Sequence, residues 1–193
     1  MAPQNDPLAW ETLESGVAYS CPGFDVRNEE VRLPDGTETD FDYLTEPESV
    51  VVLPFTEDGD VVVIEEWRQA VSHISRGLPV GGVEPDDEDL AAAARRELVE
   101  ETGYEAARVR HLTTVEPANG FADSLHHFFV AYDCVPTGEQ ELDYNESIRS
   151  TTTTFEALRE EIAADGVYDG RTVLGVLYYE LLGEGETPPR TEG

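Results

Sequence analysis

The spacing of apolar positions changes along the chain, and the changes mark its elements. Residues 1–15 are polar around one aromatic anchor, Trp10, and predict partial order at best. Across 17–44, short strand-like stretches surround turn residues, with Pro34, Asp35 and Gly36 making the clearest reversal, so a small β lobe is expected. Residues 50–55 and 61–67 are β-branched runs joined through Glu57, Asp58, Gly59 and Asp60, the composition of a hairpin between two core strands. Residues 78–85, with two Pro and two Gly, read as a loop with extended pieces.

After that loop the period becomes helical. Asp86 and Asp87 offer N-cap carboxylates, 88–102 is rich in Ala, Leu, Glu and Arg, and Gly103 supplies a C-terminal cap. Strands are expected at 107–115 and 125–135, the second apolar except at His126, His127 and Asp133. Alternation turns one of the two histidines inward and the other outward, with no catalytic role for either. Helices at 155–164 and 171–182 close the fold, separated by Gly166 and Gly170, and 186–193 read as a flexible tail. No internal repeat is present.

The helix at 88–102 carries the chemistry. At about 100° per residue, Glu97, Glu100 and Glu101 share an arc of roughly 100° on one face. Like charges so close destabilise a helix unless water or a cation lies against them. A solvated acidic face is one reading. The other is a hard divalent cation, which prefers such oxygen ligands and brings water and substrate phosphates into its shell.

The wider spacing decides between them. Gly82, five residues, Glu88, seven residues, then Arg96-Glu97-Leu98-Val99-Glu100-Glu101-Thr102-Gly103-Tyr104 resembles the Nudix box. Tyr104 is the one departure, standing where a bulky aliphatic residue is usual. The resemblance implies an α/β fold, a Nudix-type α/β/α sandwich with a mixed sheet, with a small N-terminal β lobe over 1–46 and the hydrolase domain over 47–185. It implies Mg²⁺, with Mn²⁺ as the alternative, held by Glu97 and Glu101 with Glu100 assisting and the Gly81 carbonyl as a further ligand. Arg96 would orient these carboxylates and Glu88 would support it, while Arg95 is a surface residue. An Arg fork suits that task because it fixes a carboxylate in one rotamer.

Similarity beyond the box points to the ADP-ribose pyrophosphatase branch. It is carried by Leu33-Pro34-Asp35-Gly36, by Val61-Val62-Val63-Ile64-Glu65-Glu66-Trp67-Arg68, by the loop Pro117-Ala118-Asn119-Gly120, and by Tyr168-Asp169-Gly170-Arg171-Thr172. Arg68 is the candidate substrate contact, with Trp67 expected to face the core. The acidic loop 139–146 lies where the branch places a mobile catalytic carboxylate; Glu146 fits best, with Glu141 and Asp143 as alternatives. The Glu-Leu-Pro-Ala-Gly common before the box appears here as Gly77-Leu78-Pro79-Val80-Gly81, without its Glu. GDP-mannose and other NDP-sugars therefore stand beside ADP-ribose as substrates. A non-catalytic nucleotide sensor is the competing class, although such a module is expected to have lost box carboxylates that this chain retains. The branch also implies a homodimer through the N-terminal lobe.

Composition narrows the setting. Twelve basic residues, every one Arg, face 42 acidic ones for a formal charge of −30, and there is no Lys. This charge disfavours DNA or RNA as a partner. Cys21 and Cys134 lack metal-site spacing and read as inert thiols. The first residues lack a basic stretch followed by an apolar one, and no run is long enough to span a bilayer, so a cytoplasmic protein that does not engage membrane is expected. The excess charge and the absence of Lys point to a host with a salty cytoplasm.

That reading sets the direction of a salt response. Raising KCl from 0.1 M to above 1 M shortens the Debye length from about 10 Å to about 3 Å and removes most long-range carboxylate repulsion. The thermal midpoint is expected to rise with KCl beyond the rise given by a matched non-ionic osmolyte, which reports burial without screening. A flat or falling midpoint rejects the halophilic reading.

Overall fold

A computed structural model describes residues 6–138, 140–144 and 146–183. The expected tail at 186–193 lies outside the described residues. The chain forms two compact units: one runs to Pro47 and includes Glu116–Leu125, and the other holds Glu48–Val115 and the described residues from His126 onward.

The first unit is an antiparallel three-stranded sheet in the order β1 (Glu11–Ser20), β2 (Asp25–Arg32), β3 (Glu38–Thr45). The β2–β3 reversal falls at Pro34-Asp35-Gly36, where the Gly36 N–H donates to the Leu33 carbonyl at 2.9 Å and φ is +87°. Residues 11–15 are more ordered than their polarity suggests. They belong to β1, whose side chains are all exposed but whose backbone pairs with β2 from Glu11↔Arg32 to Ser20↔Asp25. Its order comes from the ladder, so no burial pattern announces it. Trp10 lies edge-on to Phe41 with ring centroids 5.7 Å apart.

The second unit is built on a mixed sheet whose path runs β10-β5-β4-β9-β8. Its strands are β4 (Ser49–Thr56), β5 (Asp60–Arg68), β6 (His73–Gly77), β7 (Val80–Gly82), β8 (Tyr104–Val115), β9 (His126–Pro136) and β10 (Ile148–Thr154). β4 and β9 are parallel, while β6 and β7 pair with β5 and β4 respectively. The helices are α1 (Leu90–Thr102), α2 (Phe155–Ala163) and α3 (Gly170–Leu182). No helix among the described residues is long and apolar enough to cross a membrane.

Period-2 alternation explains the layers. On β4, Val51, Leu53 and Phe55 join Phe128, Val130 and Tyr132 of β9 and pack with Leu158, Val176 and Tyr179 of α2 and α3. The intervening Val50, Val52, Phe129 and Ala131 pack with Ala93, Ala94 and Leu98 of α1, and Tyr104 closes against this second cluster. Continuous apolar runs on β4 and β9 thus reflect burial on both faces, giving the expected α/β/α sandwich.

Two strands carry no apolar signal. β6 is a short polar piece, and β10 is largely a run of Thr, branched enough for a strand but without alternation. The α1 cap also shifts. Asp89, rather than Asp86 or Asp87, is the N-cap and accepts from the Ala92 N–H at 2.8 Å, while Gly103 ends the helix at φ +71°. Asp87 is instead drawn to Arg96.

The cap assignment has a measurable consequence. Asp89→Ala is expected to cost about 1 kcal/mol in a denaturant titration, the usual loss for an N-cap. Asp86→Ala, at an exposed position, is expected to leave the midpoint unchanged. Equal effects would refute the assignment.

Candidate metal and substrate site

Two carboxylates of α1, Glu97 and Glu101, meet the strand segment that precedes the helix. Glu101 is 2% exposed, and its Oε2 accepts the Val80 N–H at 2.8 Å. Glu97 lies flush against Gly81, where an added Cβ would fall 1.9 Å from its carboxyl carbon. Only glycine allows the β7 backbone to approach so closely.

Arg96 binds this cluster together. It grips Asp87 through Nε (3.1 Å) and Nη2 (2.9 Å), reaches Glu97 and Glu100 through Nη1 at 2.7 and 2.9 Å, and meets the Gly82 carbonyl through Nη2 at 2.8 Å. Glu88 is exposed, and no polar contact joins it to Arg96. The support expected of Glu88 is given by Asp87, whose pKa is lowered chiefly by the Arg96 hydrogen bonds. Arg95 points elsewhere, donating to the Ala106 carbonyl at 2.7 Å.

The neighbouring strand ends add charge. On β5, Glu66 is 8% exposed and lies 2.7 Å from Arg68 Nη2, yet its buried Oε2 has no well-formed hydrogen bond. Trp67 does not face the core. It is 46% exposed and donates from Nε1 to Gln69, because at the end of β5 the inward alternation falls to Glu66. Glu146 is half-buried and bonds to the backbone N–H of Asp143 at 3.0 Å. Its charge acts on Glu66, Glu97 and Glu101 alike. Glu141 and Asp143 are exposed, and Glu139 lies outside the described residues.

Crowding and burial change the chemistry of these acids. Burial pushes Glu97 up to about 7 despite Arg96, and Glu101 up to about 9 despite the Val80 N–H, with neighbouring carboxylates adding to both shifts. Burial likewise raises Glu66, opposed by Arg68. Among the described residues, no three side chains converge as they stand on one cation position, since Arg96 and Val80 hold the carboxylates. The donor set nevertheless suits a hard cation: Glu101 buried with only a backbone N–H against it, a Glu66 Oε2 buried beside Arg68 without a well-formed hydrogen bond, and a glycine that seats Glu97 against the backbone.

The histidines divide as alternation requires. His127 is buried between Glu48 (2.8 Å) and Thr114 (2.9 Å), and His126 is half-buried. Cys134 is buried, which pushes its thiol up to about 12, and the Cys21 Sγ lies 3.2 Å from the Phe24 carbonyl. Glu66, Asp87, Asp169 and Arg171 were not singled out as site residues. Glu66 was legible as the acid two residues before Arg68 on the same strand face; the others depend on loop and helix-end geometry.

Residues 45–172 match the model of the NUDIX domain. The chain is 29% identical over 175 residues to the ADP-ribose pyrophosphatase of Bacillus subtilis, covering 90% of this chain and 94% of that one. It is 31% identical over 98 residues to a GDP-mannose pyrophosphatase of Escherichia coli, about half of each chain (50% and 51%). A solved structure described as an ADP compounds hydrolase superposes with a TM-score of 0.80 at 21% identity, covering 92% of this chain and 97% of that one, and so shares the fold.

The raised Glu101 pKa makes stability depend on pH in a defined direction. In the folded metal-free protein the group stays protonated until about pH 9, whereas unfolded it ionises above its ordinary 4.5. Its contribution is therefore intact below pH 4.5 and is progressively lost as pH rises through about 9. With EDTA present, the thermal midpoint of Glu101→Gln should match that of wild type near pH 4.5 and exceed it increasingly toward pH 9. A gap independent of pH would contradict the buried, proton-holding carboxyl.

Proposed function

The chain belongs to the NUDIX domain family, in its ADP-ribose pyrophosphatase branch, and from that premise we propose that it hydrolyses ADP-ribose to AMP and ribose 5-phosphate in a Mg²⁺-dependent reaction. Nudix hydrolases generally use divalent metal ions. The observation that carries the reading is the buried group of Glu97, Glu101 and Glu66, with Glu97 seated against Gly81, an expensive concentration of acid that a divalent metal would relieve.

Glu97 and Glu101 would hold the metal, with Glu100 and the Gly81 carbonyl completing the set; Mn²⁺ suits the same oxygens. When bound, the metal neutralises phosphate oxygens and lowers the pKa of a coordinated water. The chain's own residues supply the remainder. Arg96 fixes the rotamers of Glu97 and Glu100, and the Val80 N–H fixes Glu101. Arg68, held by Glu66, binds a phosphoryl oxygen. Glu146 takes the proton as the water oxygen bonds to phosphorus, and the pyrophosphate bridge breaks toward the leaving phosphate, which receives a proton.

An NDP-sugar such as GDP-mannose is the second reading, favoured by Gly77 in place of the Glu common in the branch and by the GDP-mannose pyrophosphatase similarity. The branch also supports a homodimer through the N-terminal β unit, whose edge strand leaves Leu13, Val17 and Tyr19 exposed, and the −30 charge without any Lys supports a cytoplasm rich in salt.

One assay separates these readings. ADP-ribose, GDP-mannose and other NDP-sugars are incubated with and without Mg²⁺, and nucleoside monophosphate release is followed. Fastest release from ADP-ribose, abolished by EDTA, is expected; preference for an NDP-sugar transfers the assignment, and no turnover with any substrate leaves a sensor. Within the loop, Glu146→Gln is expected to lower kcat at least ~10²-fold, as for a removed general base. Glu141→Gln and Asp143→Asn are expected to stay near wild type, and the reverse result would move the base.

A further inference from the structure

The start of α3 builds a feature that the reaction described above does not use. Gly77 leaves no room for a side chain: an added Cβ would meet Thr172 Oγ1 at 2.6 Å and Asp169 Oδ2 at 3.0 Å. Thr172, fully buried, donates its hydroxyl to Asp169 Oδ2 at 2.7 Å and accepts the Leu78 N–H at 2.9 Å. The first turn of α3 is thereby locked to the segment that also presents the Val80 N–H to Glu101. Leu78 and Val80 are two residues apart, roughly 7 Å along an extended backbone. Asp169 and Glu101 are thus anchored to neighbouring points of one strand segment.

Asp169 then aims Arg171. Its Oδ1 accepts from Arg171 Nε at 2.9 Å, leaving both Nη groups without a hydrogen-bonding partner among the described residues. Burial raises the Asp169 carboxyl, but Arg171 and Thr172 outweigh it and keep the group ionised. Arg171 lines a cleft with Arg68, Glu66, Ser75 and Gly77, and its charge reaches Glu66. The other Arg beside the carboxylates, Arg96, is already committed to three acids and a carbonyl.

We propose that Arg171 is a substrate-binding residue that acts with Arg68 as a two-guanidinium clamp on one phosphoryl group of a diphosphate ester, with Asp169 and Glu66 as its positioning residues. The electrostatics call for such a pair. Glu66, Glu97, Glu100, Glu101 and Glu146 crowd the site with carboxyl groups, and a diphosphate approaching them needs fixed cations in addition to a metal. Arg171, oriented by its hydrogen bond to Asp169, turns its free N–H donors toward the cleft where Arg68 pairs with Glu66, and two such guanidinium groups suit a tetrahedral phosphoryl group. The inference rests on the diphosphate hydrolase reading and assigns the residues that hold the phosphoryl group.

The test uses the full chain with Mg²⁺ and the non-hydrolysable methylene analogue of ADP-ribose as the calorimetric probe, alongside KM and kcat for ADP-ribose. Arg171→Gln is expected to weaken probe binding and raise KM about tenfold or more, as for loss of a charge-assisted hydrogen bond. Its kcat is expected to stay within about threefold, and Arg171→Lys to recover part of the affinity. Arg159→Gln, which removes a surface pair with Glu180, is the control expected to bind like wild type. Unchanged probe affinity in Arg171→Gln overturns the clamp, as does a fall in kcat alone, which marks a structural role, or failure of the wild type to bind the probe. A wild type that binds the probe, loses affinity through Arg171→Gln and yet turns over no ADP-ribose would sustain the clamp and reject the proposed substrate.

Discussion

Arg96 is the counter-charge on which the site depends. A guanidinium has a rigid fork of donors and cannot lose its proton near neutral pH, so one side chain restrains Asp87, Glu97 and Glu100 while also tying α1 to the Gly82 carbonyl. Without it the acidic face of α1 would repel itself and Glu97 and Glu100 would lose the contact that fixes their rotamers. It leaves Glu101 uncompensated. That group has only a backbone N–H against its burial, which is why it holds its proton more tightly than Glu97.

Burial on both faces of β4 and β9 makes this arrangement rigid. Successive side chains enter opposite clusters, so α1 cannot shift without disturbing the packing of Val50, Val52 and Phe129, nor α3 without disturbing Leu53 and Phe128. The segment 77–81 lies between these layers and is held from both sides, by Glu101 and Glu97 of α1 and by Thr172 of α3. Its glycines at 77 and 81 are the positions where a Cβ would collide with those partners. The polar site therefore inherits its precision from an apolar core.

Charge operates at two ranges. Across the whole chain, the −30 excess is a diffuse repulsion that salt screens. Inside the site the acids lie within hydrogen-bonding distance of Arg or backbone donors, where screening is weak and burial governs ionisation. The same residue type, Glu, is a solvated surface group in β1 and a proton-holding buried group at position 101.

By itself the sequence determined the helix at the box, its glycine cap, the hairpin, the two-faced core strands, and the acid cluster with its Arg, because these follow from local period and from a motif of fixed spacing. The two histidines also divided as alternation required. Tertiary structure alone decided the rest. β1 and β10 are strands because a partner's backbone completes their hydrogen bonds, and no apolar pattern records that. The choice of Asp89 over Asp86 or Asp87 as cap, and of Asp87 over Glu88 as the partner of Arg96, depends on where a loop turns by a single residue. Trp67 lies outside because the strand outruns the core. Arg171 and Asp169, nearly a hundred residues from Gly77, meet the site through contacts between distant segments, and local pattern carries no information about separations of that length.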